Sequence, residues 1–99
     1  MLRISLEDLP EIVTVKLEGR IVDESVKELA RAWQTISESL AKRRLCLDIR
    51  GVTFVNADGR KLLAQIYEET HNDFRTNTPL TNFLAQEAKN HRNKKIRGL

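Results

Sequence analysis

The sequence predicts an α/β fold, a small and mostly parallel β-sheet with helices packed against it. Three observations carry that prediction. Residues Ile12 to Leu17, "IVTVKL", alternate apolar and polar as a half-buried strand does. Two later stretches, Asp23 to Lys42 and Asn56 to Phe74, repeat apolar residues at spacings of three and four, the period of a helix lying on a core. Between them runs "LCLDI", Leu45 to Ile49, apolar on both sides. Strands alternating with helices in this order place the helices against a mostly parallel sheet.

Leu2 to Leu6 is expected to pair with Ile12 to Leu17, because "EDLPE" between them is turn-like and Pro10 breaks any helix. Val13, Val15 and Leu17 point one way and Thr14 and Lys16 the other, with Gly19 ending the strand. In the first helix Val26, Leu29, Ala30, Trp33, Ile36 and Leu40 form the apolar stripe. Asp23 is its expected N-cap, and Lys42, Arg43 and Arg44 bring positive charge to its C-terminus. Trp33 is expected to pack in the core.

Leu45, Leu47 and Ile49 face one side of the next strand and Cys46 and Asp48 the other, which places that strand near the middle of the sheet. Asp48 is expected to cap or hydrogen-bond the turn around Gly51. In the second helix Leu62, Leu63, Ile66, Tyr67 and Phe74 face the core. Asn56 can cap it by accepting from the N–H of Asp58 or Gly59. A short edge segment near Phe74 to Asn77 precedes a third helix, with Thr78 as cap, Pro79 in first position and Leu80, Phe83, Leu84 and Ala88 in register.

Ninety-nine residues, 40% apolar and 31% charged, suit one globular domain with one modest core. Residues 1–90 are read as that domain, and 91–99 as a basic, disordered tail. The formal charge of +3 hides an asymmetry. Lys89, Arg92, Lys94, Lys95 and Arg97 lie in the last 11 residues without an acid, so the rest of the chain carries −2. No apolar run approaches the roughly 18 residues of a membrane span, and acids and a proline interrupt the N-terminus where a signal peptide needs a continuous apolar stretch. A cytoplasmic protein without membrane insertion is expected.

Chemistry is sparse. Cys46 is the single cysteine and reads as a buried strand residue; His71 and His91 are 20 residues apart and lack helical metal-site spacing. No metal site is expected. None of Ser5, Ser25, Ser37 and Ser39 sits at a strand-to-helix turn beside a histidine, and Glu68 and Glu69 fall on a solvated helix face. The four glycines form no phosphate loop, so neither catalysis nor a cofactor is expected.

The turn "NADG", Asn56 to Gly59, stands out. A helix N-terminus collects free N–H groups and favours an anion, and Asp58 supplies one from its own chain. First-turn stabilisation of about 0.3 to 1 kcal/mol would account for Asp58. Gly59 is harder to explain that way, since glycine costs about 1 kcal/mol against alanine in a helix. A small residue permits close approach by another surface. Stabilisation and recognition both fit the turn.

The ordered set "VTVKLEGRI", "VKELARAW" and "LCLDIRGVTFVNADGRKLL" resembles a STAS domain, the sulfate-transporter and anti-sigma-factor-antagonist family. The resemblance covers residues 2 to 90. Its pattern is a strand ending in Asp, a short apolar link, then Asp-Ser-Ser/Thr-Gly opening a helix. In regulatory members an ATP-dependent anti-sigma kinase phosphorylates the Ser/Thr, which switches off binding to that kinase. Carried over, Asn56 stands at the family's Asp, Ala57 at the first Ser, Asp58 at the phospho-acceptor and Gly59 at Gly. The acceptor hydroxyl is gone, so no phosphorylation is expected there. Asp58 places a permanent −1 where a phosphoserine would carry about −1.5 to −2.

The resemblance implies a non-enzymatic protein-interaction module, an anti-sigma-factor antagonist-like regulator in transcription. Asn56, Ala57, Asp58, Gly59, Arg60 and Lys61 form its partner-binding face, on the exposed side of the turn. Arg60 and Lys61 read equally as solvated charges. The partner would be an anti-sigma kinase-like ATPase or, with the chain as an accessory subunit, a transporter ATPase. The third helix comes early against the family's pattern, which leaves a trimmed sheet and an edge open for a homodimer. Nucleic-acid binding through the basic tail would be weak and salt-sensitive, and no aromatic lies there to stack on bases.

Overall fold

The computed structural model describes residues 1–97, with side chains described for residues 1–90. The elements run β1 (Leu2–Asp8), β2 (Ile12–Ile21), α1 (Glu24–Leu40), β3 (Arg44–Val55), α2 (Ala57–Thr70), β4 (Asp73–Arg75) and α3 (Pro79–Arg97). The four strands form one sheet in the order β1-β2-β3-β4. β1 is antiparallel to β2, whereas β2–β3 and β3–β4 are parallel. The predicted α/β class, the hairpin and the interior position of β3 all hold. The expected tail falls on residues 91–99, whose side chains lie outside the described residues, as do the charges of Arg92, Lys94, Lys95 and Arg97.

One core forms on one face of the sheet. Val13, Val15 and Leu17 of β2 and Leu45, Leu47 and Ile49 of β3 pack with Leu29, Trp33, Ile36 and Leu40 of α1, Leu62, Leu63 and Ile66 of α2, and Leu84 and Ala88 of α3. All three helices therefore cover that face. The opposite face carries the alternate residues, and one row crosses all four strands: Ser5 opposite Lys16, Lys16 opposite Asp48, Asp48 opposite Arg75. These four help line a shallow groove of about 220 Å³.

Several local expectations are corrected. β2 does not end at Gly19 but bulges there and continues to Ile21. Gly19 has φ +106°, and a Cβ on it would collide with the Met1 carbonyl, so glycine is needed to keep the strand going. Asp23 makes no capping bond at α1. Ser25, inside the first turn, ties the incoming chain to the helix instead: its Oγ accepts the Val22 N–H at 2.8 Å and lies within donating distance of the Val22 and Arg20 carbonyls. Ala30 is exposed, not part of the stripe. α1 ends at Leu40, and of the basic cluster Arg43 reaches back to the Leu40 and Ser39 carbonyls at 3.2 and 2.6 Å. The same guanidinium pairs with Asp8 at the end of β1.

β3 is longer than predicted and has no turn at Gly51, so Asp48 serves its own strand neighbour Arg50 instead. α2 stops at Thr70, four residues before Phe74, because His71 adopts the left-handed conformation and returns its N–H to the Tyr67 carbonyl at 2.7 Å. Phe74 still reaches the core edge, from β4, and stacks with Tyr67 at 6.3 Å. On α3, Leu80 and Phe83 are exposed; Thr81, Leu84, Ala85 and Ala88 form the inner face. Thr78 caps as expected, its Oγ1 accepting the Thr81 N–H at 3.1 Å.

Candidate functional site

The NADG turn lies where parallel strands β2 and β3 end and α2 begins, the rim at which open α/β sheets present their sites. Asn56 leaves β3 in extended conformation and donates its N–H to the Ile21 carbonyl at 3.1 Å, which ties the turn to the end of β2. Its Oδ1 accepts the Gly59 N–H at 2.8 Å, and its carbonyl accepts the first helical bond from Arg60 at 2.9 Å. The capping role holds, with Gly59 rather than Asp58 as donor.

The six predicted contact residues separate into two sets. Ala57, Asp58 and Lys61 are exposed. Asn56 and Arg60 are half-buried, and Gly59, expected on the exposed side, is buried. A Cβ on Gly59 would lie 2.6 Å from Val55 Cγ1 and 3.1 Å from the Ile21 carbonyl oxygen. The close approach that the glycine permits is made by the protein's own strand ends. Arg60 turns inward too: it donates to the Val55 carbonyl at 3.2 Å and pairs with Glu87 of α3 at 3.0 Å. Asp58 carries the exposed charge of the first turn of α2.

Two neighbours on this rim escaped the sequence reading. Phe54, one residue before the end of β3, is 47% exposed, and the Arg20 guanidinium lies 5.6 Å from its ring centroid. Register explains the pair, since Arg20 stands directly opposite Phe54 across β2 and β3. The apolar Phe in "VTFVN" was a signal for it, but the bulges in β2 hide which face it takes. The rim thus carries an exposed aromatic beside a cation at the end of β3, and an exposed acid in the first turn of α2.

Among the described residues no group of three or more His, Cys, Asp or Glu side chains is placed to hold a metal ion, and no helix is long and apolar enough to cross a membrane. Cys46 and Asp48 lie buried on the helix-free face. Burial pushes the Cys46 thiol up, opposed by the nearby Arg75 charge. Hydrogen bonds from Arg50 hold the Asp48 carboxyl below its ordinary value against a burial effect of opposite sign.

No family model matches the sequence and no curated protein matches it. Solved structures do. An anti-sigma factor antagonist from Mycobacterium paratuberculosis superposes with a TM-score of 0.65 at 23% identity, over 77% of this chain and 66% of that one. The present chain thus spans just under two thirds of that protein's length. The anti-sigma factor antagonist SpoIIAA in its unphosphorylated form superposes with a TM-score of 0.63 at 15% identity, over 98% of this chain and all of that one. The architecture is the STAS fold of these antagonist structures, as the resemblance implied.

Proposed function

We propose that this chain is a non-enzymatic protein-interaction module of the anti-sigma-factor-antagonist kind, with a permanent negative charge at Asp58 in place of a switchable phosphate. The observation that carries this reading is the position of Asp58. In a STAS fold it is exposed on the first turn of the helix that follows the central strand. A carboxylate there offers no hydroxyl to phosphorylate, so the module does not toggle by modification at this residue. Ala57, Asp58 and Lys61 form the accessible contact surface, with Asn56, Gly59 and Arg60 holding the turn in shape behind them. The partner is an anti-sigma kinase-like ATPase in the cytoplasm. The same surface would serve a transporter ATPase, and the experiment distinguishes the two.

Wild-type protein and Asp58→Lys are immobilised, exposed to host cytosol, and the retained proteins identified by mass spectrometry. An anti-sigma kinase-like ATPase held by wild type and lost by Asp58→Lys is the expected result. A transporter ATPase with the same dependence would reassign the pathway. Identical catches, or nucleic acid alone, would reduce Asp58 to a helix-end stabiliser. Asp58→Ser, incubated with the captured kinase and ATP, is expected to regain a phosphorylation site that wild type lacks.

A further inference from the structure

β1 lies at one edge of the sheet and, among the described residues, pairs with β2 alone. The ladder shows which of its backbone groups are free. Arg20 donates to the Met1 carbonyl at 3.4 Å and Leu9 to the Ile12 carbonyl at 3.1 Å, so the odd-numbered residues face β2. By the alternation of an antiparallel ladder, the N–H and C=O groups of Leu2, Ile4, Leu6 and Asp8 point outward. The strand holds no proline and no bulge, so its edge is straight and open. Leu6, on the same side of the strand as Leu2 and Ile4, is 55% exposed, whereas those two pack against the core.

The side chains along this edge are self-complementary. In "LRISLED" the residues flanking Ser5 are Ile4 and Leu6, then Arg3 and Glu7. Neither Arg3 nor Glu7 forms an ion pair among the described residues. From this pattern we propose that β1 is a homodimerisation edge, on which a second copy of this chain adds its own β1 antiparallel, with Ser5 opposite Ser5 on a twofold axis. In that register Arg3 meets Glu7 of the second copy and Glu7 meets its Arg3, while Ile4 meets Leu6 on the helix-covered side. The outward backbone groups of the even residues fall opposite one another and bond, and all seven residues of the strand are used. Shifting the register by two residues either way sets Arg3 or Glu7 opposite Ser5 and loses both charge pairs. The product is a continuous sheet through two subunits, closed by an isologous contact. The NADG turn stays outside the junction, so this inference does not depend on the reading of Asp58.

Sedimentation equilibrium from micromolar to near-millimolar concentration tests the association. Wild type is expected to dimerise, and Glu7→Arg, which sets like charges opposite one another twice, to weaken the dimer at least about tenfold. Arg3→Glu combined with Glu7→Arg restores opposite charges and is expected to restore the dimer; Asp58→Lys is expected to leave it intact. A second measurement fixes the register even if a charge variant folds poorly. Ser5 and its copy form a non-hydrogen-bonded pair with Cα atoms about 4.5 Å apart, inside the roughly 4.4 to 6.8 Å range of a disulfide. Ser5→Cys is therefore expected to cross-link into a dimer on mild oxidation, and Leu6→Cys not to. A wild type that stays monomeric throughout, a dimer indifferent to Glu7→Arg, a double variant that stays dissociated, or Leu6→Cys cross-linking as readily as Ser5→Cys would each overturn the proposal.

Discussion

Gly59 packs against Val55 with no room for a side chain: a Cβ would come 2.6 Å from Val55 Cγ1 and 3.0 Å from Ile21 Cγ2. Both neighbours are buried at the ends of parallel strands, so the first turn of α2 is seated directly on the sheet. Gly59→Ala tests that seat. Alanine should gain about 1 kcal/mol of helix propensity, yet overpacking of this kind costs about 1 to 3 kcal/mol. A net loss of about 1 kcal/mol is expected in urea denaturation followed by the fluorescence of the single tryptophan, Trp33. A gain in stability would show that α2 can lift away, and the seat would not exist.

Asn56 holds the same turn from the other side, through its 2.8 Å bond to the Gly59 N–H. Asn56→Ala should cost about 1 kcal/mol, and Asn56→Asp, which keeps an acceptor at the helix N-terminus, should cost much less. Equal losses in the two variants would mean that the cap contributes little and that the Asn56 backbone bond to Ile21 dominates.

Asp48 and Arg50 make a pair with a pH signature. Arg50 donates to Asp48 at 3.0 and 2.8 Å, and the Asp48 side chain is only 5% exposed. Because the folded carboxyl titrates below its ordinary value, its stabilising contribution is complete above the unfolded value of about 3.9. That contribution is lost as pH falls through about 3.9 and then through the lower folded value. Asp48→Asn should thus be less stable than wild type at neutral pH, with the gap closing in acid. Urea midpoints of the two proteins between neutral pH and strong acid give the comparison. A gap that stays constant down to strong acid would rule the ion pair out as its source.

What the sequence reveals and hides follows from the length scale of each determinant. Elements set by periodicity over many residues, such as β2, α1 and α2, were legible, as was the Asn56 cap, whose partner lies three residues away. Features that depend on the register of two strands were not. Gly19 looks like a strand end until Met1 is seen beside it, and Gly59 looks available to a partner until Ile21 and Val55 are in place. The α2 terminus was lost to Phe74, whose apolar side chain fits a helical stripe and an edge strand equally well. The run His71-Asn72-Asp73, three weak helix formers, was the local signal against the helix. Leu80 and Phe83 misled for a related reason: an apolar residue on a short amphipathic turn does not say how far the core extends.

The short strand β4 makes Cys46 a reporter of motion at the sheet edge. Cys46 is buried, stands opposite Asp73 across the β3–β4 pairing, and has its thiol pushed up by that burial, so little thiolate is present near neutral pH. A thiol reagent should label the native protein on the order of 100-fold or more slower than the urea-unfolded chain. β4 has three residues, and an ion pair from Arg44 to Asp73 at 2.7 Å helps hold it against β3. If labelling proceeds through detachment of β4, Arg44→Ala should speed it a few-fold while the urea midpoint barely moves, because so exposed a pair contributes little to global stability. Should the labelling rate instead track global stability across Arg44→Ala and Gly59→Ala alike, Cys46 would open only with the whole domain, and β4 would be part of the cooperative core.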